Sequence, residues 1–290
     1  MIAIMNTLNM MMIMISIRNA GKNQMNAKST VLITGASTGI GAVYADRFAK
    51  RGHDLVLVAR DLARLETLSE RLRRETGANV DILQADLTDE VELARVESRV
   101  RDDARIGILI NNAGASAAGG FADQTPDDVA KLISLNTTAL TRLVSAVTPR
   151  FVEAGEGSII NIASVVGLAP EFGLTVYGAT KAFVLFLSQG LQLELGPKGV
   201  YVQVVLPAAT RTEIWERSGR DVNTLPAVME VDELVDAALV GFDRRESVTI
   251  PPLPDADQWK AFDAARQLMI PNYAQVHAAD RYQPEKALAS

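Results

Sequence analysis

No cysteine occurs among the 290 residues. That excludes disulfides, thiol nucleophiles and cysteine-held zinc. Histidine is nearly as scarce. His53 and His277 are the only two, and neither sits in a ligand-spaced motif. Both read as ordinary surface residues, and no metal site is expected. An excess of positive charge is missing as well. Lysine plus arginine number 29 against 35 aspartate plus glutamate, for a net charge of −6 and a pI near 5.1. A bulk nucleic-acid binder is therefore excluded, and a small phosphorylated ligand needs local donors. No apolar run is long enough to cross a bilayer. Met1–Ile17 is broken by Asn6, Thr7, Asn9 and Ser16 and falls short of the roughly 20 residues a spanning helix needs. No basic residue precedes it, as a secretory signal requires. Seven of the nine methionines lie in residues 1–25. Residues 1–28 are expected to be a disordered leader, the alternatives being a weak membrane anchor and a processed targeting segment; no firm membrane association is expected.

What is present is patterned. Hydrophobic residues make up 48%, enough for a sheet buried on both faces. Short runs rich in Val, Ile and Leu recur at Val31–Ile33, Leu55–Val58, Val80–Leu83, Ile108–Ile110, Ile159–Ile162, Val200–Leu206 and Val248–Ile250. Each is too short for a helix and reads as a strand covered on both sides. Helical patterns lie between them. Leu62, Leu65, Leu68 and Leu72 form one stripe within residues 61–76. Thr125-Pro-Asp-Asp128 carries the marks of a helix start: hydroxyl cap, proline in the first turn, then acids. Helices over 126–150 and 177–196 are long enough to pair with copies of themselves. The alternation predicts an α/β fold, a doubly wound parallel sheet of Rossmann type with about seven strands and helices on both faces. There is no internal repeat and no dividing linker. A single catalytic domain is expected over 29–250, with 251–290 a peripheral tail carrying one helix near 255–269.

After the first strand comes Thr34-Gly-Ala-Ser-Thr-Gly-Ile-Gly41. Gly35, Gly39 and Gly41 permit positive φ and close approach of backbone amides to a pyrophosphate. The helix opening at Ile40 adds unpaired N–H groups and a positive dipole end. The G-x-x-x-G-x-G spacing is by itself a moderate signal. The second strand ends Val58-Ala-Arg-Asp61. Ala59 stands where an acid would accept from a ribose 2′-hydroxyl, and Arg60 follows with the forked donor geometry that suits a 2′-phosphate. NADP is favoured over NAD, with Ser37 as a further hydroxyl donor and Asp61 as the cap of the next helix. Asp86 follows the third strand; meeting the adenine amino group and holding its own loop are both open to it. Asn111-Asn112-Ala113-Gly114 ends the fourth strand with small residues, letting a dinucleotide lie against the strand ends.

Tyr177 and Lys181 share one helix face at i, i+4. A phenol with an ordinary pKa near 10 must shift by about 2–3 units to trade a proton near neutrality. A neighbouring ammonium and the positive ring of an oxidised nicotinamide both favour its ionised form. Ser164, thirteen residues before the tyrosine, can hydrogen-bond a substrate oxygen as charge develops.

Thr34–Gly41, Asn111–Gly114, Asn136, Ser164, Tyr177 and Lys181, in this order and spacing, resemble the short-chain dehydrogenase/reductase family from about residue 29 to 250. The resemblance implies Tyr177 as general acid in carbonyl reduction and general base in alcohol oxidation. It implies that Lys181 lowers the tyrosine pKa and binds the nicotinamide ribose, and that Ser164 holds the substrate oxygen. Asn136 is implied to steady a water linking Lys181 to solvent, and Thr212 to touch the carboxamide. A homodimer or homotetramer and a cytoplasmic location are expected. One departure stands out. The family's usual Pro-Gly after the sixth strand is Pro207-Ala208 here, and an added Cβ restricts φ where glycine does not, so a shifted backbone is expected.

The substrate pocket is expected in the loops Ala115–Phe121, Val165–Leu174 and Glu213–Pro226, where Phe121, Leu168, Phe172, Ile214 and Trp215 suit a moderately apolar carbonyl or alcohol. Residues 213–226 have the composition of a lid. The leading reading is an NADP-dependent oxidoreductase. The alternatives are a dinucleotide-binding regulator with little turnover, and an isomerase or lyase using the same tyrosine.

Overall fold

A computed structural model describes residues 28–116 and 119–283. The expected leader lies outside the described residues. Seven strands form one all-parallel sheet: β1 (Thr30–Thr34), β2 (Leu55–Ala59), β3 (Val80–Gln84), β4 (Ile106–Asn111), β5 (Gly157–Ile162), β6 (Val200–Val205) and β7 (Val248–Thr249). Their order is β3-β2-β1-β4-β5-β6-β7. The chain thus winds outward from β1 in one direction and from β4 in the other. The reversal leaves a crevice at the carboxyl ends of β1 and β4, where open α/β sheets bind ligands.

The helices of the sheet unit are α1 (Gly39–Lys50), α2 (Leu62–Thr76), α3 (Glu90–Asp102), α4 (Pro126–Ile133), α5 (Leu140–Ala154), α6 (Thr175–Leu195), the single turn α7 (Ile214–Arg217) and α8 (Val231–Asp243). Odd-numbered Val31, Ile33, Leu55 and Leu57 pack with Tyr44 and Phe48 of α1, Leu65 and Leu72 of α2, and Val235 and Leu239 of α8. Their even-numbered neighbours Leu32 and Val56, and Leu109 of β4, are fully buried too, because α5 and α6, with α3 packed on α5, cover the other face. Each such aliphatic side chain contributes about 1.5–3 kcal/mol on burial.

Local chemistry sets several boundaries. Asp61 caps α2 by accepting from the Arg64 amide at 3.1 Å, and Gly77 ends that helix in the left-handed region at φ 74°. Thr125 caps α4, accepting from the Asp128 amide at 3.2 Å. Between α4 and α5 the expected single helix carries a six-residue π turn, Ser134–Ala139.

Two expectations are corrected. β3 is not covered on both faces: Asp81 and Gln84 are exposed, because β3 is the sheet's edge strand. His53 is half-buried. Its Nδ1 lies 2.7 Å from the Ser29 carbonyl and its ring meets Phe48 edge-on.

Residues from Pro252 onward form a second compact unit. It contains α9 (Ala256–Leu268), capped by Asp255, whose side chain accepts from the Asp257 amide at 2.9 Å. Trp259 and Phe262 stack on it with ring centres 5.5 Å apart. Among the described residues no helix is long and apolar enough to cross a membrane.

Candidate active site

The floor of the crevice is stitched from β1 and β4. Thr34 Oγ1 accepts from the amides of Asn112 and Ala113 at 3.0 and 3.1 Å. Asn112 Nδ2 donates to the carbonyls of Thr34 and Gly35, both at 3.0 Å. This closeness explains the small residues. A Cβ on Gly35 would stand 2.9 Å from the Ala113 Cα, and one on Gly41 2.4 Å from the Gly35 carbonyl oxygen. Gly35 and Gly39 have positive φ, 65° and 56°. Thr38, the N-cap of α1, makes no side-chain cap bond, so the first amides of α1, near Ile40, keep their donors for a ligand.

At the end of β2 the Arg60 side chain is 69% exposed and its guanidinium lies 3.7 Å from Asp86. Asp86 also accepts from the Thr88 amide and hydroxyl at 2.9 and 2.7 Å. Burial works against its charge, but the Thr88 bonds and Arg60 outweigh it and hold the carboxyl below its ordinary value. The loop role left open for Asp86 is therefore occupied, while Arg60 keeps an exposed fork. Ser37, in the glycine turn, lines a cavity with Arg64 and Arg71 of α2. A pyrophosphate fits the uncapped amides of α1, and a 2′-phosphate fits Arg60 by charge.

Ser164, Tyr177 and Lys181 converge at the carboxyl end of β5. Ser164 is buried, its Oγ donating to the Pro207 carbonyl at 3.1 Å. Tyr177 is partly buried on α6. Burial pushes its phenol up to about 12, and a hydrogen bond with Ser164 offsets part of that rise. Lys181 is 5% exposed. Its Nζ donates to the Ile162 carbonyl at 2.8 Å and stands 5.6 Å from the centre of the Tyr177 ring. Burial pulls its ammonium down to about 8. Both shifts favour the neutral forms, so the chain alone does not show the lowered phenol pKa that the resemblance implied. Desolvation is the leading cause of both.

Asn136 sits in the π turn, 2% exposed. Its Nδ2 donates to the Ala115 carbonyl at 2.9 Å and to Thr180 Oγ1 at 3.0 Å, while its Oδ1 accepts from the Ala115 amide at 2.9 Å. Thr180 in turn donates to the Tyr177 carbonyl at 2.7 Å. Asn136 thus ties the β4 loop to the helix that bears the tyrosine. A Cβ on Gly114 would lie 3.3 Å from Asn136 Oδ1 and 3.5 Å from Lys181 Nζ, which places all three residues together. Thr180 and Ala115 carry no sequence signal for this role; only the contacts reveal it.

Thr212 reaches the glycine turn: its Cγ2 is 3.2 Å from where a Cβ on Gly39 would stand. Among the described residues, Arg245 is the one non-glycine with positive φ, so Ala208 lies in backbone that any residue adopts. Of the expected pocket residues, Phe121 and Phe172 are exposed at 63% and 61%, and Trp215 donates its indole N–H to the Thr210 carbonyl at 2.7 Å. Residues 117 and 118 of the first pocket loop lie outside the described residues.

A family model described as short chain dehydrogenase matches residues 29–223. Among solved structures, a short-chain dehydrogenase from Sphingobium yanoikuyae in complex with NADPH is 69% identical, covers 88% of this chain and 100% of its own, and superposes with a TM-score of 0.87. The bulky-bulky ketone specific alcohol dehydrogenase from Comamonas testosteroni is 60% identical over 89% of this chain and 100% of its own, with a TM-score of 0.84. Human 17-beta-hydroxysteroid dehydrogenase type 3 is 33% identical over 212 residues, 72% of this chain and 68% of that protein.

Proposed function

This chain belongs to the short-chain dehydrogenase/reductase family, the nicotinamide-dependent oxidoreductases of alcohols and carbonyls, and from that premise we propose that it is an NADP-dependent reductase of apolar ketones with Tyr177 as its acid and base. The observation that carries the reading is the meeting of Ser164, Tyr177 and Lys181 beside a glycine turn whose helix amides are uncapped. The preference for NADP rests on Arg60, with Ala59 where an acid would serve a free 2′-hydroxyl; the NADPH held by the Sphingobium protein supports it.

When bound, the nicotinamide supplies the hydride for ketone reduction or takes it from an alcohol. The chain's own residues do the rest. Ser164 Oγ turns from the Pro207 carbonyl to hydrogen-bond the substrate oxygen, fixing its direction. Tyr177 Oη gives that oxygen a proton in reduction and takes it back in oxidation. Lys181 holds the ribose hydroxyls and supplies the positive charge that favours phenolate. Asn136 Oδ1 uses one lone pair on Ala115 and has a second for a water leading from Lys181 to solvent.

The substrate class rests on the 60% identity to a ketone enzyme named for two bulky substituents and on the exposed rings of Phe121 and Phe172. A second copy of the chain is proposed as its partner, through the exposed Phe186 and Leu193 of the long α6. The test is a panel of ketones and aldehydes, small and bulky, assayed with NADPH and NADH by loss of nucleotide absorbance. Turnover of bulky ketones with NADPH is expected. Nucleotide that stays unconsumed with every carbonyl, while the protein binds it, would favour the regulator.

A further inference from the structure

The segment leaving β6 crosses the glycine turn and fastens to the far side. Behind it, Thr210 bridges to Met229 through the backbone and takes the indole N–H of Trp215. Thr212 then rests against Gly39. The next residue, Glu213, reaches α2, where both of its carboxylate oxygens accept from Arg64 Nη1 at 2.8 Å. Arg217 Nη2 also donates to Glu213, at 2.7 Å, within the turn of α7. Residues 210–217 are therefore a strap. Its near end is held by backbone bonds and by the Arg211–Glu230 pair, and its reach to α2 by the exposed Arg64–Glu213 pair, between residues 149 apart in sequence. Arg64 shares with Ser37 the wall of a cavity of about 360 Å³, so the pair stands at the rim of the cradle that Gly39 and the α1 amides form.

We propose that Arg64 and Glu213 are a positioning pair that clamps this strap over the cradle, keeps Thr212 against the glycine turn and slows the escape of the nicotinamide nucleotide. The inference rests on the nucleotide-binding reading of the site. The clamp acts by closing a path, so it serves NADPH and NADH alike, unlike Arg60, whose effect is confined to the 2′-phosphate. An exposed ion pair is modest in strength and screened by salt, which suits a closure that must open every turnover.

The test is a displacement experiment followed by nucleotide fluorescence, with R64A, E213Q, their double variant and R64K. Each of R64A and E213Q is expected to release NADPH and NADH about twofold to fivefold faster, with the unfolding temperature of the protein alone unchanged. The double variant is expected to match the singles, because a broken pair cannot be broken twice, and R64K to stay near wild type. Unchanged release rates overturn the clamp. So does acceleration confined to NADPH, which makes Arg64 a phosphate ligand, and so do effects that multiply in the double variant. Wild-type protein that takes up neither nucleotide overturns the oxidoreductase reading, and the clamp with it.

Discussion

Lys181 Nζ faces the Tyr177 ring, 5.6 Å from its centre, while donating to the Ile162 carbonyl. One helical turn brings the two side chains together, and the β5 carbonyl fixes how close the ammonium comes. Burial raises the phenol from 10.0 to about 12. A positive charge beside the phenol, from the ammonium or from the ring of an oxidised cofactor, acts against that rise.

Tyr177→Phe tests the proton-transfer role. Only the phenolic oxygen is removed, and the ring still fills its place on α6. Turnover is expected to fall by about 10²–10⁴-fold, while NADPH affinity measured by fluorescence titration changes by less than about threefold. A variant that keeps its turnover rejects Tyr177 as the acid and base.

Lys181→Met separates catalysis from stability. The folded ammonium has its pKa lowered from 10.5 to about 8 by burial. Below pH 8 both folded and unfolded chains carry the proton, and the wild type bears the full cost of a buried charge. Between 8 and 10.5 the unfolded chain binds the extra proton, so wild-type stability rises with pH. Above 10.5 both are neutral and the cost is gone. The methionine variant is expected to be inactive yet more stable at pH 7, by up to about 3 kcal/mol, with the gain fading to nothing near pH 10.5. Urea unfolding at pH 7 and pH 10 checks this. A variant less stable at pH 7 would mean that the bond to Ile162 outweighs desolvation.

Arg60→Ala addresses the cofactor preference. A charge-assisted bond to phosphate is worth about 1.5–3 kcal/mol, so NADPH binding is expected to weaken about 10- to 100-fold. NADH binding should stay within about twofold, because Asp86 keeps its Thr88 bonds without the arginine. Calorimetry with both nucleotides decides it; an equal loss for the two removes the 2′-phosphate role.

The order of the fold was legible because its signals are local. Seven apolar runs became seven strands, and Asp61 and Thr125 cap the helices they precede. Tyr177 and Lys181 needed only helical spacing to meet. What escaped depends on residues far apart in the chain. The π turn at Ser134–Ala139 holds Asn136, whose side chain bonds Ala115 and Thr180, 21 and 44 residues away; no periodicity announces an extra residue in a helical turn. Glu213 and Arg64 carry no local signal that pairs them; the fold sets them 2.8 Å apart. The exposure of β3 is a consequence of strand order, and the phenol's raised pKa a consequence of how much protein surrounds it.

Ala208→Gly restores the residue the family usually carries after the sixth strand, and the geometry says it brings no benefit. Glycine is required where φ is positive or a Cβ collides. At Gly41 the added carbon would stand 2.4 Å from a carbonyl oxygen, and Gly41→Ala is expected to cost about 1–3 kcal/mol and much of the nucleotide affinity. Ala208 meets no such demand: it lies outside the positive-φ set, and its carbonyl accepts from the Thr210 hydroxyl at 3.0 Å whatever the side chain. A glycine there only adds freedom to the unfolded chain, so stability should drop by about 0.4–1 kcal/mol with kcat/KM unchanged within about twofold. Thermal unfolding and steady-state rates on one ketone measure both. A marked gain in kcat/KM would show that the alanine does restrain the backbone beside Thr212.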